Sequence, residues 1–244
     1  MAINVVILAA GQGKRMNSNL PKVLHRLAGK PLLSHVIDAA RALKPTRICI
    51  VYGHGGEQVP EAVRANDLVF VRQKKLLGTG HAVKQALPHL DPRANTLVLY
   101  GDVPLITTAT LRKLIASRGD CVNLLTTTFA NPFGYGRILR DARGAVTGIV
   151  EEKDATAEQR LINEGNTGLM LLPTKHLPRW IARLSNRNAQ REYYLTDLVA
   201  QAIRDKVQVK AIAPGAQWEI HGVNSQRQLA DLERSYQLNA AHKL

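Results

Sequence analysis

The stretch VVILAAGQGKRMNSNLPK, Val5 to Lys22, is the part of the chain from which the rest of the architecture can be worked out. The apolar run Val5 to Leu8 has the length and β-branched content of a buried strand, and Gly11 and Gly13 end it at once. Glycines let backbone N–H groups approach an anion without a Cβ in the way, and three cations follow. The stretch therefore predicts a strand that leads into a loop suited to a triphosphate.

The cations of this loop are Lys14, Arg15 and Lys22, and the motif excludes two common nucleotide-binding classes. No Gly-Lys-Ser/Thr follows, as a Walker A loop requires, and the glycines do not follow Gly-x-Gly-x-x-Gly. Neither a P-loop NTPase nor a dinucleotide-binding Rossmann domain is supported. By itself the loop also fits a glycine turn followed by solvated basic residues.

The composition is that of a globular and strongly basic chain. Its 244 residues are 45% hydrophobic, and 33 Lys and Arg against 19 Asp and Glu give a formal net charge of +14. Such a charge is compatible with a polyanionic partner such as nucleic acid. The basic residues are scattered, however, and no zinc-finger, RNP-like or KH-type pattern accompanies them. We therefore expect a solvated basic surface and no nucleic-acid partner.

Cellular location and cysteine chemistry are also constrained by the sequence. No apolar run approaches the roughly 20 residues of a bilayer span, and the first residues lack the basic region of a secretion signal. We expect a cytoplasmic protein with no membrane partner. Cys49 and Cys121 each lie in an apolar, strand-like run without a Cys or His at ligand spacing, which predicts buried structural thiols.

Strand-like and helix-like segments alternate up to residue 129. The predicted strands are 5–8, 48–52, 68–71, 96–100 and 121–129, and the predicted helices are 32–43, 58–65, 80–87 and 108–117. The right-handed crossover rule makes the first two strands parallel neighbours. This alternation predicts an α/β, Rossmann-like doubly wound sheet whose ligands bind at the carboxyl ends of the strands.

The pattern changes after Gly134 to shorter strands that are punctuated by glycine. Strands at 136–139, 145–151 and 168–173 predict a small antiparallel addition on the far side of the pocket. The remaining predicted elements are helices at 175–184 and 194–205, a strand at 207–212 and a terminal helix at 225–244. We divide the chain into one domain, 1–224, and a C-terminal arm helix, 225–244.

The strand at 96–100 ends in Gly101-Asp102-Val103-Pro104, which puts a carboxylate at the same sheet edge as the glycine loop. An Asp in this position is suited to hold a hard cation together with its phosphates, and Mg²⁺ is the natural ion. A structural alternative is that Asp102 caps the turn before Pro104. Two further glycine-bearing turns, 73–81 and 133–137, follow strands at this edge and favour a binding site.

A series of motifs then occurs in one order along the chain: LAAGQGKRM, SNLPKVLHRLAGKPLLSHVIDAA, YGHGGEQV, LLGTGHA, LYGDVPLI, GYGRI, GIVEEKDA, NTGLM, NAQREYYLTD and GVN. From about Asn4 to the terminal helix, this series resembles the uridylyltransferase domain of the bacterial GlmU family. Members form UDP-N-acetylglucosamine and diphosphate from UTP and N-acetylglucosamine 1-phosphate, a step toward cell-wall and lipopolysaccharide precursors. The implied fold is the nucleotide-diphospho-sugar transferase type, which is GT-A-like.

The resemblance implies roles for individual residues. Those that match the nucleotide site are Leu8, Ala9, Ala10, Gly11, Gly13, Gln73, Gly78 and Thr79. Those that match the sugar pocket are Tyr100, Gly136, Glu151, Asn166 and Thr167. Arg15, Lys22 and Asp102 match catalytic residues, and Asp102 with Asn224 matches the two protein ligands of Mg²⁺. A side-chain amide at Gln73 can pair with the imide edge of uracil and disfavour the amino-bearing edge of cytosine.

The implied reaction needs no general base, because the sugar phosphate is already an anionic nucleophile. The task is positioning and relief of charge repulsion. Lys22 would stabilise charge at the reacting phosphates and Arg15 would hold the diphosphate leaving group. Glu152 lies beside Glu151, and the residues themselves leave open which carboxylate faces the sugar. Lys14 stands where the family often has Thr.

No hexapeptide repeat occurs in the chain. The family normally continues into a left-handed β-helix that acetylates glucosamine 1-phosphate with acetyl-CoA and forms trimers, so we expect no acetyltransferase activity and a monomer. Two alternatives stay open: a nucleotidyltransferase for another sugar 1-phosphate, and a non-catalytic paralogue that binds UDP-sugar or nucleic acid. The joint presence of Arg15, Lys22, Asp102 and Asn224 favours the enzyme.

Overall fold

The structure is a computed structural model that describes residues 2–53, 58–116 and 119–241. Part of the YGHGGEQV motif, residue 117 at the end of one predicted helix, and residues 242–244 of the predicted terminal helix lie outside the described residues.

Eleven strands are present in the described ranges. They are β1 (Ile3–Ala9), β2 (Arg26–Leu27), β3 (Lys30–Pro31), β4 (Arg47–Tyr52), β5 (Leu68–Arg72), β6 (Asn95–Tyr100), β7 (Cys121–Thr128), β8 (Gly136–Arg140), β9 (Val146–Val150), β10 (Glu164–Pro173) and β11 (Gln208–Ile212). The α-helices are α1 (Leu32–Arg41), α2 (Gln58–Ala62), α3 (Thr79–Ala86), α4 (Thr108–Ile115), α5 (Ala157–Arg160), α6 (Leu177–Ala182), α7 (Asp197–Arg204) and α8 (Gln226–Ala241). Five 3-10 turns lie at Lys14–Met16, Lys22–Leu24, Leu87–His89, Thr174–His176 and Gln217–Ile220.

A single mixed sheet organises the molecule, with the strand order β11-β7-β10-β6-β1-β4-β5. β1 pairs in parallel with β4 and β6, and β4 pairs in parallel with β5. β10 is antiparallel to both of its neighbours, β6 and β7, and β11 runs parallel to β7 at the edge. The predicted Rossmann-like α/β sheet with a C-terminal helix is confirmed.

Alternating side chains of β1 show why the sheet is covered on both faces. Val5 and Ile7 pack with apolar residues of α1 and α4, whereas Val6 and Leu8 pack with those of α3, α6 and α7. A strand that is buried on both faces has a continuous apolar run, which Val5 to Leu8 supplies in the sequence. No helix in the described ranges has the length and apolar character needed to cross a membrane.

Both cysteines are buried and neither forms a disulfide, which agrees with the predicted buried thiols. Burial raises the pKa of the Cys49 thiol to about 11, so this side chain stays protonated and packs as a small apolar group.

The assignment of residues 168–173 to a small antiparallel addition is wrong. These residues belong to β10, which lies in the middle of the main sheet. Only the first part of the strand serves the addition, where Gly165 and Asn166 pair with β8, itself paired with β9. The apolar run after Gly168 is buried on both faces, which is the signature of a central strand rather than of a peripheral hairpin.

The helix predicted at 194–205 begins later, at Asp197. The backbone before it binds the turn that precedes α3 instead: Tyr193 N–H donates to Leu77 O at 2.8 Å, and Leu195 N–H donates to the Thr79 hydroxyl at 3.0 Å. The other predicted helices differ at their ends, since α1 ends at Arg41 and α2 at Ala62, and residues 174–176 form a 3-10 turn before α6.

The terminal helix α8 packs against the hairpin β2–β3 and the loop after β1. Leu232 belongs to an apolar cluster with Met16 and Leu27, and the Glu233 carboxylate accepts a hydrogen bond from Ala28 N–H at 2.8 Å. The helix therefore covers the back of the loop that carries Arg15.

Candidate active site

The loop after β1 is shaped by a close approach. Gly13 has a left-handed φ of 60° and precedes the 3-10 turn Lys14–Met16. A Cβ built on Gly13 would lie 2.7 Å from the Cβ of Lys22, so only glycine lets these two segments meet without displacement. Arg15 is exposed, and no described residue forms an ion pair with it. Its guanidinium is therefore available to an anionic ligand.

Three predicted site residues from distant parts of the sequence converge at the carboxyl edge of the sheet. The Lys22 ammonium forms an ion pair with the Asp102 carboxylate and donates to Asn224 Oδ1 at 2.8 Å. Asp102 follows the end of β6, and Asn224 precedes α8, while Val223 N–H donates to Asp102 O at 2.9 Å and ties the two segments together. Lys22, Asp102 and Asn224 thus form one cluster, which does not include the third predicted catalytic residue, Arg15.

The donor set of this cluster fits a hard divalent cation. One carboxylate oxygen and one amide oxygen already face a single positive charge, the Lys22 ammonium, and such oxygens are the ligands that Mg²⁺ takes in proteins. Within the described residues, no group of three or more His, Cys, Asp or Glu side chains could hold a metal ion. A cation here would therefore take its other ligands from phosphate and water.

The other predicted nucleotide residues lie at the ends of β1 and β5 and at the start of α3. Leu8, Ala9 and Ala10 are buried, whereas Gly11 is exposed. Gln73 is only 4% exposed, and Gly78 and Thr79 begin α3. Within the described residues, no hydrogen bond or ion pair links Arg15 to them. The turn that is predicted to read uracil hydrogen-bonds to residues 193–195, which the sequence analysis did not select.

A pocket of about 230 Å³ brings the predicted sugar-binding residues together. It lies beside the cluster of Lys22, Asp102 and Asn224, because Tyr100 in its lining stands two positions before Asp102. Its lining includes Thr79, Tyr100, Gly136, Glu151, Asn166 and Thr167. A larger depression of about 470 Å³, around Arg47 and His89, lies away from this edge and contains none of the predicted site residues.

The two adjacent acids, Glu151 and Glu152, point in different directions, and only Glu151 is placed to reach a ligand in the pocket. Glu151 lines the pocket and accepts a hydrogen bond from the Thr196 hydroxyl at 2.7 Å. Glu152 points away and pairs with the buried Arg137 at 2.7 Å, which lowers the pKa of Glu152. Burial raises the pKa of Glu151.

The floor of the pocket is an irregularity in β10. The pairing of β10 with β7 shifts between Asn166 and Met170, and Gly168 has a left-handed φ of 86°. A Cβ on Gly168 would lie 2.6 Å from the Tyr100 ring, so glycine is required here. Asn166 Oδ1 accepts from Gly168 N–H at 3.1 Å, which leaves the Asn166 NH₂ group as a donor for a ligand.

Several pocket residues were missed by the sequence analysis, namely Tyr135, Gly168, Gln190, Glu192, Tyr194 and Thr196. The EYYLTD motif was the available signal for the last three, but a motif does not tell which of its side chains face a ligand. Asp197 follows the pocket residue Thr196. Burial, with repulsion from Glu151 and Asp154, raises the pKa of Asp197 to about 6.

The strand order of the sheet, with helices on both faces and a polar pocket at its carboxyl edge, defines an α/β domain of the doubly wound class. The family model for the MobA-like NTP transferase domain matches residues 5–164, and the chain belongs to this family.

The chain is 60% identical over 243 residues to the bifunctional protein GlmU of Janthinobacterium sp. (strain Marseille), and 59% identical to that of Herminiimonas arsenicoxydans. Each alignment covers 99% of this chain and 54% of the relative. The predicted resemblance is thereby confirmed, and the chain spans about half the length of these relatives.

Solved structures of low sequence identity share the fold. A UDP-glucose pyrophosphorylase complexed with UDP-glucose superposes with a TM-score of 0.76 at 17% identity, over 98% of this chain and 100% of that one. A putative glucose-1-phosphate thymidylyltransferase from Bacillus anthracis gives 0.75 at 16% identity, over 96% and 94%.

Proposed function

We propose that this chain transfers the uridylyl group of UTP to N-acetylglucosamine 1-phosphate, with Mg²⁺ as cofactor, and releases diphosphate and UDP-N-acetylglucosamine. The observation that carries the proposal is the convergence of Lys22, Asp102 and Asn224 beside a polar pocket lined by Tyr100 and Glu151. The high identity to proteins named GlmU supports the choice of substrates.

The polar groups of the pocket suit an N-acetylated sugar. Glu151 accepts one hydrogen bond from Thr196 and retains acceptor capacity for a hydroxyl or for the acetamido N–H. The Asn166 NH₂ group supplies the complementary donor. A buried acceptor of this kind rejects a ligand that lacks its donor, because the acceptor would be left unpaired.

The chemistry depends on positioning and charge. The sugar phosphate brings its own nucleophilic oxygen, so the residues bind and orient two anions that repel each other. Asp102 and Asn224 would hold Mg²⁺, which supplies neutralisation and polarisation of phosphoryl oxygens when bound. Lys22, released from these two oxygens, would stabilise the reacting phosphates, and Arg15 would hold the diphosphate.

The test is diphosphate release from UTP and N-acetylglucosamine 1-phosphate with Mg²⁺. Glucosamine 1-phosphate, glucose 1-phosphate and CTP serve as alternative substrates, and the Asp102→Ala variant serves as the inactive control. We expect release with the first pair alone. Faster release with glucose 1-phosphate would assign another sugar, and silence from the folded protein with every pair would overturn the proposal. In that last case, salt-sensitive binding of RNA or DNA would support the non-catalytic alternative.

A further inference from the structure

The side-chain amide of Gln73 is held by two neighbours. Gln73 directly follows β5 and is 4% exposed. Its Nε2 lies 3.1 Å from the carbonyl oxygen of Gly78 and 2.9 Å from Nδ1 of His81. An amide nitrogen carries two hydrogens, so these two contacts use both of them.

The hydrogen-bonding capacity of Gly78 decides which way this amide points. A backbone carbonyl has no proton to give, so an inverted amide would set Gln73 Oε1 against another acceptor. The nitrogen must therefore face Gly78, and His81 Nδ1 must then accept the second N–H. It follows that the proton of the neutral His81 ring is on Nε2.

Gln85 completes this arrangement one turn further along α3. Its amide nitrogen is placed 3.2 Å from His81 Nε2, where two donors would meet. Rotation of the Gln85 amide by 180° brings its oxygen to Nε2–H. This rotation gives up the 3.4 Å contact from the Gln85 nitrogen to the carbonyl oxygen of His81, which is longer than the 3.1 Å contact to Gly78 that an inverted Gln73 would lose. Burial lowers the pKa of His81, and the charge of Lys84 adds to this, which keeps the ring neutral at pH 7.

We propose that His81 is a positioning residue for base selection: with Gly78 it occupies both N–H groups of Gln73, so that Gln73 presents only its carbonyl oxygen to the nucleotide. This inference rests on the proposed function, in which Gln73 faces the base. Within the described residues, Oε1 receives no hydrogen bond. An acceptor pairs with the N3–H of uracil and opposes the lone pair on N3 of cytosine.

His81 is what prevents the amide from offering a donor instead. Without the imidazole acceptor, one N–H of Gln73 is released and the side chain gains rotational freedom. The turn that carries Gln73 would then tolerate cytosine better and bind uracil less well. Within the described residues, the His81 side chain hydrogen-bonds to Gln73 and Gln85 and not to Lys22, Asp102 or Asn224, so we expect the effect on nucleotide binding rather than on the chemical step.

Two variants test this role. His81→Phe keeps a planar ring and removes the acceptor, whereas His81→Asn can place an amide oxygen near the position of Nδ1. Steady-state rates with UTP and with CTP, each with N-acetylglucosamine 1-phosphate, give the ratio of kcat/KM for the two nucleotides. We expect His81→Phe to lower this ratio about tenfold through a higher KM for UTP, with kcat within twofold of wild type. His81→Asn should restore most of the ratio.

A folded His81→Phe protein with the wild-type ratio and KM would overturn the role of His81 and leave the proposed function intact. A wild-type protein that does not use UTP would instead overturn both. Equal loss of kcat with UTP and CTP, unrepaired by His81→Asn, would show a general structural role and would also contradict the proposal.

Discussion

The two ends of the proposed site, a phosphate end and a sugar end, are built in different ways. The phosphate end consists of Gly13, Arg15, Lys22, Asp102 and Asn224. Arg15 is exposed there, and Lys22 contacts two side-chain oxygens from which a ligand can displace it. At the sugar end (Tyr100, Gly136, Glu151, Asn166 and Thr167), the polar groups already bond to the protein, as Thr196 does to Glu151 and Thr167 does to Leu125 O at 2.7 Å.

This difference has a physical reason. Phosphates bring large charges that exposed cations can bind over a range of positions, so the phosphate end needs charge more than fixed geometry. Hydroxyl and amide groups are recognised by the direction of neutral or singly charged hydrogen bonds, so the sugar end must be ordered beforehand. Substitutions of Arg15 and Asp102 at the phosphate end should therefore cost activity and little stability.

The largest effect should come from Asp102→Ala, which we expect to abolish turnover with little loss of fold. The variant keeps Asn224 but loses the carboxylate of the cluster, and with it the strongest ligand for a cation. Turnover in saturating Mg²⁺ and a melting curve test this together. A kcat close to wild type would remove Asp102 from the catalytic residues.

Arg15→Ala should lower kcat/KM for UTP by about 10²–10⁴, the usual size for a phosphate-binding cation. Its melting temperature should match wild type, since no described residue pairs with this guanidinium. Arg143→Ala, an exposed arginine on the β8–β9 turn, is the matched control and should keep full activity. A loss below tenfold for Arg15→Ala would remove it from the catalytic residues.

Lys22→Met should lower kcat/KM by a comparable factor and also lower the melting temperature in metal-free buffer. The Asp102 carboxylate, whose side chain is 14% exposed, would lose its cationic partner. Added Mg²⁺ should stabilise the variant more than wild type. Lys30→Met, which removes the exposed pair with Asp38, should change the melting temperature little. Identical melting curves of Lys22→Met and wild type in metal-free buffer would contradict the proposal that Lys22 neutralises the Asp102 and Asn224 oxygens until Mg²⁺ replaces it.

Glu151→Gln tests the sugar end. We expect KM for N-acetylglucosamine 1-phosphate to rise by about 10–100-fold, as for a lost hydrogen bond to a charged group, with KM for UTP unchanged. Gln can still accept from Thr196, and it removes a buried charge, so the melting temperature at pH 8 should not fall. Glu152→Gln is the comparison: it should destabilise the protein, because the buried Arg137 loses its carboxylate. An unchanged KM for N-acetylglucosamine 1-phosphate in Glu151→Gln would contradict the assignment of Glu151 to the sugar pocket.

The smallest effect concerns Asp197, whose pKa is raised from 3.8 to about 6 by burial and by the charges of Glu151 and Asp154. Because the folded state holds this proton more tightly than the unfolded state, Asp197 makes stability fall as pH rises from about 4 to about 6, and the loss then persists. Asp197→Asn should therefore melt a few degrees higher than wild type at pH 8 and show no advantage near pH 4. A difference between the two melting temperatures that is independent of pH would contradict this.

The fold was largely predictable because local patterns carry it. The apolar runs of β1, β4 and β6 and the helical spacing of α1 are properties of neighbouring residues, and they specify a doubly wound sheet. The same local reasoning misplaced β10, because its position between β6 and β7 depends on pairing with strands that are distant in the sequence, Asn95–Tyr100 and Cys121–Thr128. The helix predicted from residue 194 begins only at Asp197. Hydrogen bonds between residues 193–195 and the start of α3 override the helical propensity of 194–196.

For the candidate site, the residues Lys22, Asp102 and Asn224 could be selected from the sequence by resemblance, but their mutual contact could not. The same holds for Glu151 and Glu152, which are equivalent as residue types and are separated only by the direction in which each leaves β9. Thr196 and His81 were not selected, because a supporting hydrogen bond has no signature in the sequence.

The sequence by itself determined the class of sheet, the charge of the loop after β1 and the family to which the chain belongs, since these depend on residue type and spacing. Only the tertiary structure decided that one ammonium bridges Asp102 and Asn224, that Glu151 faces the pocket while Glu152 pairs with Arg137, and that the amide nitrogen of Gln73 contacts both Gly78 O and His81 Nδ1. Those facts depend on which atoms meet across long stretches of chain, and the direction of a side chain is set by its neighbours in space.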